Sequence, residues 1–197
     1  MIPRVLLVLL AAALGAASDS VPARADQDRP PAVPTRDVDV TYRAGQGGQA
    51  VVQRSRWSAE TRKLRVDTPT PGVYAIADYE AHTLMMVSEP AHGVMDLDAA
   101  AAGFPGPAAP GSAASAGAGF VRHGGGQVAG LPCTEWETSD RQGQPVVACY
   151  TEDGVLLEAR RGAQVFVQAT RVAYGTLDAA VFAVPPSYIH TSPRSAR

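Results

Sequence analysis

The chain has two cysteines, Cys133 and Cys149, and their placement constrains the fold more than any other feature. They sit in two strand-forming runs, Leu131–Ser139 and Gln144–Thr151, on either side of the turn-forming Asp140-Arg141-Gln142-Gly143. With the turn centred on Arg141 the cysteines are equidistant from it and face each other. Opposed residues on antiparallel strands lie about 4.5–5.5 Å apart, inside the roughly 4.4–6.8 Å that a disulfide needs between Cα atoms. The spacing predicts a cross-strand disulfide, and closing a loop of this size stabilises by about 3 kcal/mol in the chain-entropy model. A redox pair needs a Cys-x-x-Cys spacing and a metal site needs further ligands nearby, and neither pattern is present. A buried reduced pair is the remaining alternative.

Side chains alternate between the two faces of a strand. In this register Trp136 lies opposite Val146 and Thr134 opposite Ala148. Cys133, Glu135, Glu137, Val147 and Cys149 then share a wet face, and Trp136, Val146, Ala148 and Tyr150 the buried one.

An oxidising compartment is expected from the N-terminus. Arg4 precedes an apolar run from Val5 to Leu14, and small residues follow to Ala23-Arg24-Ala25, an A-x-A cleavage pattern. Residues 1–25 read as a secretory signal peptide, with Asp26 the expected mature start. The apolar run is too short to span about 30 Å of hydrocarbon, so no stable membrane insertion is expected. Of the 17 basic residues only Lys63 is lysine, a bias of GC-rich bacterial genomes, which makes the compartment the periplasm. A net charge of −2 offers no field for nucleic acid.

The mature chain of about 170 residues suits one domain. Residues 26–36 are a proline-rich lead-in that resists helix formation. Residues 37–186 form the expected β domain. Asp37–Arg43, Gln49–Ser58, Leu64–Thr68, Tyr74–Asp78 and Thr83–Ser88 are β-branched and aromatic runs with turn chemistry between them. No heptad or repeat period is visible. Ala91–Ala102 is the helix candidate, weakened by Gly93. Residues 99–126, nearly all Ala, Gly, Pro and Ser at first and then glycine-rich, read as a flexible loop that includes Gly124-Gly125-Gly126. A second hairpin, Val155–Arg160 with Gln164–Tyr174, follows the cysteine hairpin. Val181–Val184 reads as a short last strand, and residues 187–197 as a disordered tail.

No chemical signature stands out. His82, His92, His123 and His190 are scattered, with no H-x-x-H or H-E-x-x-H spacing, and G-x-S-x-G, Walker and Rossmann patterns are absent. Glu135 and Glu137 share a strand face about 7 Å apart, which imitates an acid–base pair but reads as a solvated face. Asp96/Asp98 and Glu152/Asp153 are further acidic pairs. Neither metal, cofactor nor catalysis is expected.

The run YR…RWSAETRKLRVDTP…YAIADY…TLMMV, the stretch C-T-E-W-E…C-Y-T-E-D-G-V-L-L and the ending LDAAVFAVPPSY together resemble the LolA/LolB-like superfamily of bacterial envelope proteins. The chain departs from the carriers in opening with proline-rich sequence where they open with an amphipathic helix. The resemblance implies a mainly β fold: a curved antiparallel sheet, or half-barrel, with one or two short helices and a long Ala/Gly/Pro loop. It implies a non-catalytic periplasmic protein that binds a lipid, lipoprotein anchor or other apolar partner on the concave face. Trp136, Val146, Ala148 and Tyr150 are the expected lining, joined from the next hairpin by Phe166, Val172 and Tyr174, while Val165 and Val167 alternate away. The alternative is a structural or sensory envelope protein with no small ligand. The sequence carries no statement of oligomeric state.

Overall fold

A computed structural model describes residues 29–45, 50–97, 119–140 and 142–192. The chain is mainly β, built as one open, curved sheet of twelve strands. Six strands come from the first half: β1 (Val38–Ala44), β2 (Val51–Ser58), β3 (Lys63–Asp67), β4 (Val73–Asp78), β5 (Thr83–Ser88) and β6 (Gly93–Leu97). Five come from the second: β7 (Val121–Val128), β8 (Leu131–Ser139), β9 (Pro145–Tyr150), β10 (Leu156–Arg161) and β11 (Gln164–Tyr174). Each half is a meander, and β1 pairs antiparallel with β11 to fuse them. The last strand, β12 (Ile189–Thr191), runs parallel to β6 at the far edge.

The first meander holds a period that its residue identities conceal. Arg62, Gly72, His82 and His92 all have positive φ (51°, 72°, 54° and 46°), and they recur at every tenth position. Each ends a four-residue turn between neighbouring strands. Side chains entering the turns accept backbone N–H groups: Ser58 from Thr61 at 3.3 Å, Asp78 from Ala81 at 2.8 Å and Ser88 from Ala91 at 3.4 Å. The repeated element is a backbone conformation, and residues as different as Arg, Gly and His adopt it, so identity matching does not find it. Turns at the same end of the sheet lean on each other, with Tyr79 N donating to Arg62 O at 3.0 Å and Glu89 N to Gly72 O at 2.8 Å. Ile189 N donates to His92 O at 2.9 Å, so β12 closes this ladder.

Apolar residues pack on both faces. The larger cluster joins Val38, Val40 and Tyr42 of β1 to Trp57 and Leu64 on one side. On the other it takes in Trp136, Val146, Ala148, Tyr150, Leu156, Ala159, Val167 and Ala169. The Tyr42 hydroxyl crosses to donate to Leu156 O at 2.8 Å, tying the two meanders together. On the opposite face Tyr74, Ile76, Val87 and Val94 pack with Met85, Val184 and Tyr188. The C-terminal segment covers this second cluster. It is held there by Arg65, which stacks 3.4 Å over the Tyr74 ring and donates to Val181 O at 3.0 Å.

Four expectations are corrected. The helix candidate Ala91–Ala102 holds β6 instead, because Val94 is needed on the second cluster and alternation delivers it. Residues 121–126 of the expected loop belong to β7, where Gly125 and Gly126 pair with Thr134 and Cys133 of β8 and Gly124 lies in the register shift before them; residues 99–118 lie outside the described residues. Val181–Val184 is not a strand; the chain makes a 3-10 turn at Ala179–Phe182, capped by Asp178. Residues 189–191 of the expected tail pair with β6.

The cysteine hairpin forms with its register moved by two. Trp136 faces Ala148, Thr138 faces Val146 and Glu135 faces Cys149. Asp140 N donates to Gln144 O at 2.9 Å and Gly143 has φ 76°, so the loop ends on Gly143 and its centre moves from Arg141 to Gln142. The Asp140 carboxylate accepts from Gln144 N (2.8 Å) and Gln142 N (2.9 Å) and pairs with Arg161. These bonds, the one to Gln144 largest, hold its pKa down. A two-residue slip leaves the alternation of faces as expected, but the cysteines expected on the wet face are buried, at 7% and 5% exposure. Cys133 and Cys149 are bonded diagonally rather than face to face, with Cα atoms 5.5 Å apart.

Candidate functional site

The first cluster leaves a cavity on its own face of the sheet, lined by Val38, Val40, Trp57, Leu64, Tyr150 and Leu156. Water-sized molecules find about 40 Å³ there. A single water needs roughly 10–15 Å³ on this measure, so the space has the size of a few water molecules and is too small for an alkyl chain. Burial pushes the Tyr150 phenol up to about 12 and raises that of Tyr42 as well. Both stay neutral across the physiological range, and no charged residue is among the lining side chains. Ser55 also lines the cavity, and its hydroxyl is buried with no hydrogen-bond partner among the described residues.

A strap of the proline-rich lead-in forms one wall of the cavity. Val33 and Pro34 form its cavity side. The Trp57 indole N–H donates to Pro34 O at 2.8 Å, and Thr35 N donates to Asp153 O at 3.0 Å. Arg36 bonds the Asp153 carboxylate at 2.9 Å and lies 3.6 Å over the Tyr174 ring. Tyr174 in turn donates its hydroxyl to Asp153 at 3.1 Å. Next to this latch Gly154 has φ 90°, and a Cβ there would stand 2.9 Å from Val33 O and from the Pro31 side chain. Only glycine admits so close a backbone approach at that conformation.

Burial raises the Asp153 pKa, but the bonds from Arg36, Thr151 and Tyr174 and the Arg36 charge outweigh it, and the net shift is downward. A carboxylate held below its unfolded value of about 3.9 stabilises the folded form above that value and loses the contribution as pH falls through its folded pKa. The latch is therefore expected to be intact at neutral pH and to fail only below about pH 4. The Trp57 indole proton resonance, followed in a pH titration, reads this directly. A transition centred at pH 5 or higher would contradict it.

Of the seven expected lining residues, only Tyr150 borders the cavity, and Val172 packs part-buried against the same cluster. Trp136, Val146 and Ala148 do share its face, but they are packed among their neighbours, with Phe120 edge-on to Trp136 at 6.4 Å. Phe166 and Tyr174 are half-buried against the same cluster. Phe166 sits where the β10–β11 register shifts, and Tyr174 belongs to the latch. The strap residues and Asp153 were missed. Asp153 reads in sequence as a turn acid beside Glu152, and nothing local pairs it with Arg36.

The other candidates resolve into ordinary contacts. Glu135 pairs with Arg160 at 3.2 Å and Glu137 with His123 at 3.0 Å, so these acids bind neighbouring bases on the wet face. Asp96 lies 3.7 Å from His190, and Asp98 is outside the described residues. His92 stacks on Tyr188 at 5.4 Å. His82 and His92 end successive turns of the meander and so sit at opposite ends of the sheet. No group of three metal-ligating side chains occurs among the described residues. Nor, among them, is any helix long and apolar enough to cross a membrane.

No family model matches the chain, and no curated protein matches it. Solved structures do. A crystal structure of an uncharacterized conserved protein from Thermus thermophilus is similar with a TM-score of 0.54 at 10% identity, over 81% of this chain and 91% of that one. PNGF-II is similar at 0.50 and 14% identity over 81% of this chain, which matches 31% of that protein. MucB in the Pseudomonas aeruginosa MucA/MucB complex gives 0.46 at 12% identity over 77% of this chain and 56% of that one, too loose a superposition to carry an argument. At these identities the first two show a shared fold and nothing more.

Proposed function

We propose that this chain is an exported, non-catalytic binding protein that takes an apolar partner, an acyl chain or a lipoprotein anchor, on the concave face of its sheet once the strap lifts. The observation that carries the reading is the strap itself. An apolar, uncharged cavity is walled on one side by a short segment held through a few hydrogen bonds and one ion pair, with Arg36 59% exposed. Exposed ion pairs contribute about 0–1 kcal/mol, while each methylene buried contributes about 0.8 kcal/mol. A chain of several methylenes therefore gains enough to displace Val33 and Pro34.

The alternative is a structural or sensory envelope protein whose face is filled by its own strap, and the small volume supports it. Titration of the mature chain, starting at Asp26, with an environment-sensitive fatty-acid probe separates the two. Saturable binding below the probe's micelle concentration, lost in a folded Val40→Phe variant that fills the cavity, is the expected result. No binding by the wild type moves the assignment to the alternative. Intact-mass measurement of protein recovered from the periplasm tests the Asp26 start and the export reading with it.

A further inference from the structure

We propose that the cradle under the strap is a recognition site for an extended, proline-containing segment of another protein with an arginine two residues after the proline, and that residues 31–36 occupy it in cis. This goes beyond the acyl-chain reading and does not rest on it: Trp57 and Gly154 border both sites, but Asp153 and Tyr174, which take the arginine, lie outside the cavity lining.

The strap reads Pro31-Ala32-Val33-Pro34-Thr35-Arg36, a P-x-x-P-x-R pattern. The cradle reads features that any segment of this pattern presents. Trp57 donates to the carbonyl of the second proline at 2.8 Å. The Asp153 carbonyl accepts the next residue's N–H at 3.0 Å. The Asp153 carboxylate and the Tyr174 ring together take the guanidinium, at 2.9 Å and 3.6 Å. Gly154 leaves room for backbone where a Cβ would stand 2.9 Å from Val33 O. An aromatic donor, a stacking ring and a carboxylate are the chemistry that suits proline-rich ligands. Such ligands lose little conformational entropy on binding because proline is already restricted.

Two further observations bear on the occupant. Tyr174 donates to Asp153 at 3.1 Å from β11, not from the strap, so the carboxylate stays oriented when the strap leaves. With the strap seated the Asp153 side chain is 16% exposed, and the charge it offers there is matched by a guanidinium. A second copy of this chain cannot exchange straps easily. Asp37, immediately after Arg36, is fixed by Ala59 N at 2.8 Å and Leu177 N at 3.0 Å, which leaves no hinge to reach a neighbour. The occupant proposed is a peptide segment of a different polypeptide, whose arginine complements the Asp153 carboxylate and the Tyr174 ring as Arg36 does.

The test uses the full mature chain with its own strap disabled by Val33→Asp together with Arg36→Glu, and a fluorescein-labelled peptide RPPAVPTR read by anisotropy. The disabled chain is expected to bind about tenfold or more tightly than wild type, because the cis competitor is gone. Alanine in place of the peptide's last arginine is expected to weaken binding by about tenfold, and Asp153→Asn in the disabled chain to abolish that difference. A folded disabled chain that binds no better than wild type overturns the proposal, as does binding indifferent to the arginine. Should the disabled chain not fold, wild type labelled with nitrogen-15 decides. Saturable movement of the Val33 and Thr35 amide resonances toward random-coil positions on adding peptide supports the proposal, and unchanged resonances overturn it. The fatty-acid probe is read on the same samples. Probe uptake without peptide binding defeats this inference alone, and peptide binding without probe uptake defeats the acyl-chain reading alone.

Discussion

Trp57→Ala is expected to lower stability by about 3–5 kcal/mol, the usual range for deleting a large aromatic side chain from a core. Trp57 is 4% exposed, meets the Tyr79 ring edge-on at 5.1 Å and stands between Val38 of β1 and Leu64 of β3. Its loss joins the vacated space to an existing cavity, which leaves neighbouring side chains little to collapse onto. The same substitution removes the only side-chain hydrogen bond to Pro34 among the described residues, so the strap is expected to loosen along with the core. Trp57→Phe separates the two effects. It keeps most of the packing and deletes the indole N–H, and should cost about 1–3 kcal/mol. Urea unfolding of the three proteins measures the difference. A loss under about 1 kcal/mol for the alanine variant would show that the wall is not close-packed.

Cys133→Ser is expected to cost about 3 kcal/mol, from opening a loop whose ends are 16 residues apart in sequence. The bond does more than close its own hairpin. A Cβ on Gly126 would lie 3.4 Å from the Cys149 sulfur and 3.7 Å from that of Cys133, so the edge strand β7 rests on the disulfide through a bare backbone. Seven of the eight β7 residues are exposed, so the sulfurs, the β8 ladder and the side-chain contacts of Arg122 and His123 with Trp136 and Glu137 are what hold it. Removing one sulfur should therefore unprotect β7 amides before the rest of the sheet, with hydrogen exchange there rising ahead of global unfolding. Thermal melts with and without reductant give the magnitude. Equal melting temperatures, or free thiols in the unreduced protein, would refute the prediction.

The strands themselves were legible because their signal is local. Alternation in Asp37–Arg43, Tyr74–Asp78 and Leu131–Ser139 is written residue by residue, and β1, β4 and β8 lie there. The buried side of the cysteine hairpin was legible for the same reason. Period two survives an even slip, so Trp136, Val146, Ala148 and Tyr150 are buried although the pairing moved by two. The register could have been read from Gly143, since a three-residue loop that ends in a left-handed residue takes glycine there. Gly93 was read against a helix without the further step to a strand, and the second apolar cluster that Val94 joins is assembled by Tyr74, Val87 and Tyr188, far apart in sequence.

What the sequence determined by itself was composition and alternation: a β protein with one disulfide and no catalytic signature. Tertiary structure alone decided which edges meet and what borders the cavity. The fusion of β1 to β11, the return of β12 to β6 and the capture of Arg36 by Asp153 join residues roughly a hundred or more positions apart. Closing loops of such length costs entropy that depends only weakly on what lies between. The contacts are therefore chosen by the shape and charge of the assembled surfaces, and no local stretch of sequence records that choice.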